Sequence, residues 1–430
     1  MKEKYLINAR LIDPKNNIDE IGGLIIDSKG LIKAVGKKVS NGNLPSSAEK
    51  IDLKKQILIP GIVDMRVFVG EPGFEYKENF RTLSNAALSG GVTSVVSMPN
   101  TLPVIDNVSM VDFLKRRGRD KSKINIFPSA SLTKNAEGKQ MTEFGLLKRK
   151  GIVAFTDGVK TIQDPQVMTR IMNFASQSGS LVMQHAEDNI LAKGGLINEG
   201  EISTRLGLKG IPFLAEKIIV ERDLSFLAEY SCRYHISQIS SAKTIEVIKK
   251  AKNDGKIFST GVSINNLSLN ENDIGDFRTF LKLSPPLRTE SDRSSLVKAV
   301  NDGTIDVIVS DHKPEDEESK RLTFSQAATG ATGVETLLSL ALELFHNKSI
   351  KLNNLIASMT CNPAKILEIN KGTLDKGNEA DLCIFDPSKP WIVDKNKLNS
   401  KSKNTPIENR KLQGQVLKTF VKGELAYERF

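Results

Sequence analysis

Through the middle of the chain, short apolar runs rich in β-branched residues alternate with longer stretches of helical periodicity. Eight such runs stand out, at 57–63, 93–98, 124–129, 151–155, 181–184, 234–239, 257–260 and 305–309. Helical patterns lie between most of them, for example at 243–252 and 291–300. This rhythm predicts βα units around a parallel sheet, and eight units closing on themselves make a TIM (β/α)8 barrel. The two ends read differently. Strand-like runs at 4–11, 23–27 and 31–35 are separated by Asp13-Pro14, Asn16-Asn17 and Ser28-Lys29-Gly30 as turns. Further runs at 381–385, 391–393 and 416–421 have Gly, Asp and Pro between them. The expected organisation is therefore a barrel over 57–368, with segments 1–56 and 369–430 forming one small composite β-domain.

Composition adds limits. The 430 residues are 39% hydrophobic and 26% charged, an ordinary globular balance. No stretch approaches the ~18–20 uninterrupted apolar residues of a membrane span. The start, with Asp13 and Pro14 arriving early, has no apolar leader, so a cytoplasmic protein is expected. Cys232, Cys361 and Cys383 are far apart and odd in number, which fits buried thiols in a reducing compartment. The net charge is +10, but basic and acidic residues are interleaved. The densest run, Lys115-Arg116-Arg117-Gly118-Arg119, falls where a helix should end and where cations complement its dipole. Neither nucleic-acid nor membrane binding is expected; salt-sensitive binding of an anionic partner is the weakest of the readings weighed.

Only four histidines occur: His185, His235, His312 and His346. In a barrel, functional groups sit at the C-terminal ends of the strands. Those ends carry Asp64-Met65-Arg66-Val67-Phe68 after the first run and Met98-Pro99-Asn100 after the second. Asp157-Gly158 follows the fourth, His185-Ala186-Glu187 the fifth, and Ser310-Asp311-His312-Lys313-Pro314 the eighth; the sixth carries His235 to Gln238.

PGIVD, EPGFEYKE, GGVTSVVSMPNTLPVID, HAED, RLGLKGIP, SPPLR and GVET, together with the 194–200 loop, resemble the dihydroorotase family of the amidohydrolase superfamily, essentially from end to end. The resemblance implies the same barrel with its composite β-domain. It also implies a pair of zinc ions that activate a hydroxide to open or close a cyclic amide. Imidazoles and carboxylates would hold the metals and lower the pKa of bound water.

The ligand positions depart from that pattern. The family's His-x-His after the first strand is Arg66 and Phe68 here, and neither can bind zinc. The sixth-strand histidine is Gln238. Asp157, His185 and Asp311 match, so half of six ligand positions remain, as a vestigial and incomplete metal set. Each half-site keeps one private ligand plus at best the shared Asp157. No cofactor is expected beyond weak binding of a single metal. The arginine that would clamp the substrate carboxylate is Gly70, the asparagine before PPLR is Ser284, and a histidine after Asp-His-x-Pro is Glu315. Asn100 alone matches as a vestigial substrate contact, and Asp311 as a vestigial proton carrier.

Three structural expectations follow. Arg66 should fill the old metal site and pair with Asp311 or Asp157, since unpaired buried carboxylates are costly. Phe68 should fill the volume of a lost ligand. His235 and His312 should be hydrogen-bonded supporting groups, and His346 a surface or helix-end residue. The resemblance further implies a catalytically silent relative acting as a scaffold subunit for aspartate carbamoyltransferase in pyrimidine biosynthesis, within an oligomer of like or unlike chains. The alternative is a divergent cyclic amidohydrolase with a reduced, mononuclear site, using Asp311 as base and His185 as a polarising group.

Overall fold

The computed structural model describes residues 2–41 and 48–429. Five strands come first: β1 Lys4–Asp13, β2 Ile18–Ile26, β3 Ile32–Gly36, β4 Glu49–Asp52 and β5 Ile57–Pro60. The central strands follow: β6 Ile62–Val67, β7 Val92–Ser97, β8 Asn125–Ala130, β9 Ala154–Phe155 and β10 Leu181–Gln184. A short ribbon, β11 Ile197–Asn198 with β12 Gly210–Ile211, precedes β13 Arg233–Ile236, β14 Ser259–Ser263 and β15 Val307–Val309. The chain ends with β16 Leu382–Ile392, β17 Lys411–Val421 and β18 Glu424–Glu428.

Eight parallel strands run in the order β15-β14-β13-β10-β9-β8-β7-β6. The ring closes where the Phe68 amide donates to the His312 carbonyl at 2.9 Å, beside a parallel bridge of Val67 with His312. Val63, Met65, Val96, Ala154, Met183, Val307 and Val309 meet in one buried cluster with Ala364 and Leu367 of the helix Cys361–Leu367. They come from strands far apart in the sheet order, and only a closed barrel lets such residues touch. This is the (β/α)8 barrel that the alternation of runs predicts. The second sheet, β18-β17-β16-β5-β1-β2-β3 with β4 on β1, joins both ends of the chain as the composite β-domain. It has its own core around Leu6, Leu11, Leu24, Leu58, Leu382 and Phe420.

Several runs resolve differently from the sequence pattern. The apolar run 57–63 is two strands: β5 pairs with β1 and β16 in the flanking sheet, and only β6 enters the barrel. Gly61 makes the crossing. A Cβ there would lie 2.1 Å from Thr93 Oγ1, so the chain can pass that close only without a side chain. Ile257, counted with the seventh run, is 89% exposed, and β14 starts two residues later. The runs 381–385 and 391–393 belong to the single strand β16, and β18 was not expected. Cys232 and Cys383 are buried free thiols, but Cys361 is only half-buried. Among the described residues, no helix is long and apolar enough to cross a membrane.

The basic run lies in the last turns of the helix Val108–Lys121. It is more than a solvated end. Arg117 Nε reaches Glu71 Oε1 at 2.6 Å, and Glu71, itself buried, accepts the Phe80 amide at 3.2 Å.

Replacing Gly61 by Ala should cost about 1–3 kcal/mol, as overpacking does in a filled core. The loss should shrink in a Thr93→Ala background, because the clash is with that side chain. Urea midpoints of the two single variants and the double variant measure the coupling.

Candidate functional site

Arg66 closes the barrel mouth from within. It lies near the end of β6, and it is only 1% exposed. Its Nε donates to Asp311 Oδ1 at 3.0 Å and its Nη1 to the Gly158 carbonyl at 3.2 Å. Asp311 follows β15 with φ of 51°, the left-handed region. Burial pushes its carboxyl pKa up; the Arg66 charge opposes that shift without cancelling it. The Gln238 amide also favours the Asp311 anion, yet it makes no well-formed hydrogen bond of its own. Phe68 packs against the pair, its ring centre 5.3 Å from the guanidinium carbon of Arg66.

Asp157 is committed elsewhere. Its carboxylate accepts the Thr133 amide at 3.0 Å and the Thr133 hydroxyl at 2.5 Å. Its own carbonyl takes the Asn100 side-chain amide at 3.0 Å. Asn100 is packed so tightly on Gly158 that a Cβ there would lie 1.5 Å from Asn100 Oδ1. It props the loop after β9.

Two of the imidazoles, His185 and His235, are buried and held neutral. His185 follows β10; burial first, then the charges of Arg66 and Lys313, lower its pKa to about 3. Its Nε2 lies 3.4 Å from the Ser284 hydroxyl. His235, on β13, is lowered to about 3 by burial first, then by Arg66 and Lys252, and its Nδ1 meets Ser259 Oγ at 2.8 Å. The Gly333 amide donates to His312 Nδ1, and His312 Nε2 lies 3.6 Å from Glu78. His346 ends the helix Leu337–His346, half-buried, with Nε2 2.9 Å from the Pro387 carbonyl.

Gly70 and Glu315 stand where the resemblance would place groups that hold a substrate anion. At Gly70, φ is +75°, and a Cβ would meet the Glu78 and Phe74 carbonyls at 2.8 Å. An arginine has no room there. Glu315 accepts from Lys77 at 2.6 Å and sits 4.0 Å from Lys313. A cavity of about 230 Å³ remains, lined among others by Arg66, Asp311, Ser284, Glu187, Lys282 and Lys313.

These donors do not suit a pair of zinc ions. A guanidinium stands against Asp311, Asp157 is turned to Thr133, and Gln238 and Phe68 bring no imidazole to the mouth. Among the described residues, no group of three or more His, Cys, Asp or Glu side chains is arranged to hold a metal.

Sequence reasoning passed over three contributors. Lys313 stood in the quoted strand-end motif without a role. Lys282 could not be placed at the mouth from its neighbours in sequence. Asp64 is fully buried, its pKa raised to about 6 by desolvation, and it accepts the Arg66 amide at 3.2 Å and the Ser310 amide at 3.3 Å across the barrel seam. Its place in PGIVD, within a strand, was the available signal.

A closed parallel barrel carrying a composite β-sheet, with its polar residues gathered at the strand ends, is the architecture of the amidohydrolase superfamily. The L-hydantoinase of Arthrobacter aurescens superposes with a TM-score of 0.89 over 100% of this chain and 96% of its own, at 23% identity. The dihydropyrimidinase of Brevibacillus agri gives 0.84 over 99% and 95%, at 21% identity. At those identities the likeness concerns the fold alone. Within the superfamily, this chain belongs to the dihydroorotase family. It is 41% identical to the dihydroorotase of Syntrophus aciditrophicus, over 98% of this chain and 99% of that protein. It is 40% identical to the dihydroorotase of Ehrlichia canis, over 98% and 94%. The family profile described as Dihydro-orotase-like matches residues 55–244.

Truncating Arg66 to Met should destabilise the protein by about 3–5 kcal/mol, because Asp311 is left buried and unpaired. Adding Asp311→Asn should recover part of that loss, read from urea unfolding of the single and double variants. Acid should also weaken the fold. Between pH 6.5 and about 3, His185 and His235 stay neutral when folded but take up protons when unfolded. The unfolded chain then binds more protons, so stability falls as pH drops through that window. In His235→Gln the urea midpoint should fall less steeply with acid.

Proposed function

We propose that this protein serves pyrimidine biosynthesis as a dihydroorotase-family member that does not turn over dihydroorotate, and that it acts as a structural subunit with aspartate carbamoyltransferase. The observation that carries the first half is the ion pair of Arg66 with Asp311. A proton-carrying carboxylate must be free to approach its substrate within hydrogen-bond reach. Asp311 instead answers a permanent buried charge. The anion-clamping positions are lost in parallel, with Gly70 unable to accept a side chain and Glu315 placing a carboxylate where an anion would dock.

The second half rests on analogy and on one consideration about selection of the fold. Relatives at about 40% identity carry the name dihydroorotase. This chain keeps their length and architecture while its mouth departs from the ligand pattern. A fold retained without its chemistry is retained for its surface, and fold and site are separable in general.

Protein purified without added metal should contain well under one zinc per chain. It should hydrolyse dihydroorotate no faster with zinc than without it. Stoichiometric zinc together with zinc-dependent turnover would support the mononuclear amidohydrolase instead. For the assembly, aspartate carbamoyltransferase should co-purify with the tagged chain from its native cell; separate elution of the two would remove the scaffold reading.

A further inference from the structure

More than half of the chain's surplus positive charge lies on one side of the barrel. Segments 112–123 and 143–150 hold nine lysines and arginines against three acids, a surplus of six within a net charge of +10. The tertiary structure sets these segments side by side. They are the end of the helix Val108–Lys121 and the helix Phe144–Arg149. Lys115 Nζ donates to the Lys150 carbonyl at 3.0 Å, and Lys150 Nζ reaches Asp112 at 3.0 Å. Lys148 Nζ donates to the Ser178 and Gly179 carbonyls, which joins the face to the end of the helix Pro165–Ser178. Each of these helices leads into the next barrel strand. Their ends therefore flank the starts of β8, β9 and β10, at the end of the barrel away from the mouth.

Several of these charges have no partner. Arg116 and Arg149 are exposed and make no side-chain hydrogen bond or ion pair among the described residues. Arg119 meets only its neighbour Asp120, in a solvent-exposed pair of the kind that contributes little. Leu146, 43% exposed, shares its short helix with Arg149. Phe174, 38% exposed, stands edge-on to Phe144 of that helix. Free guanidinium groups beside an exposed aromatic ring and an exposed aliphatic side chain are the composition of a protein interface. A nucleic-acid backbone fits less well. Asp112 and Asp120 stand among the cations, and the carbonyl ends of three helices bring partial negative charge to the same face. A protein can set carboxylates opposite the free arginines and leave the aspartates room; a line of phosphates cannot vary its charge.

We propose that this basic face docks the acidic face of a protein partner. It lies away from the mouth, so a bound partner leaves the strand ends untouched. The inference deepens the assembly reading given above by naming the face, and it rests on that reading for the identity of the probe.

The test is sedimentation-velocity titration of the full chain with aspartate carbamoyltransferase purified from the same cell. Arg116→Glu with Arg149→Glu should weaken the complex about tenfold or more, because attraction becomes repulsion at two sites. Rising salt should weaken the wild-type complex, and the double variant less steeply. Leu146→Ser should weaken it by a smaller factor. Lys376→Glu with Lys411→Glu, an equal change of net charge on the composite β-domain, should leave it unchanged. Neither arginine bonds to anything the fold needs, so the double variant should keep the wild-type unfolding temperature. A transferase that binds the wild type and the Arg116/Arg149 double variant alike would overturn this inference and leave the assembly reading standing. An equal loss in the Lys376/Lys411 pair would do the same. Tighter binding of poly(U) RNA, lost in the arginine variant, would make the face a nucleic-acid site instead. A wild-type chain that binds no transferase would remove both readings.

Discussion

A buried arginine has no neutral form to retreat to. Arg66 is 1% exposed inside a barrel whose other strands supply mostly apolar walls. A guanidinium in that position keeps its charge and must be answered by an anion and by carbonyl oxygens. Asp311 and the Gly158 carbonyl answer it. The rest of the mouth is arranged around that requirement. Phe68 lies against the guanidinium face. His185 and His235 remain neutral under burial and the same positive charge. Asp157, not needed as the counter-ion, folds back on Thr133. The mouth is thereby arranged around one organic cation.

The mouth is also where distant parts of the chain are tied together. Asp64 bridges β6 to the end of β15 through the Ser310 amide and so helps hold the barrel seam. The segment between β16 and β17 reaches across the same face. Ser400 and the Lys401 amide bond to Glu78, and the Asn404 side chain donates to the Gly330 carbonyl. Glu78 in turn stands beside His312. The composite β-domain therefore does more than flank the barrel; its connection braces the loops around the cavity. Polar networks buried this way are stable only when their members are satisfied, which explains why the surface loops here are threaded so closely.

Fold and site chemistry place different demands on a sequence. The chain aligns with dihydroorotases over almost its whole length, and its barrel superposes on hydantoinases. Packing tolerates wide substitution when volume and patterning are kept. A metal centre does not, because it depends on particular lone pairs held at bond distance. Arg66, Phe68 and Gln238 offer no imidazole at the strand ends, while the barrel around them is whole.

Hydrophobic periodicity alone determined the barrel, the composite sheet and most strands, because burial patterns are local and repeat with each element. Residue type alone determined that Arg66 and Phe68 cannot ligate zinc, since that follows from valence and charge. The tertiary structure decided what distance decides. It assigned Asp311 and not Asp157 to Arg66, 245 residues away along the chain. It split the run 57–63 between two sheets at Gly61, where a contact with Thr93 leaves no space for a side chain. It brought Lys282 and Lys313 to one cavity and set the Gly70 backbone close against the Glu78 and Phe74 carbonyls. None of these is written in local pattern, because each depends on which strand ends a closed barrel places side by side.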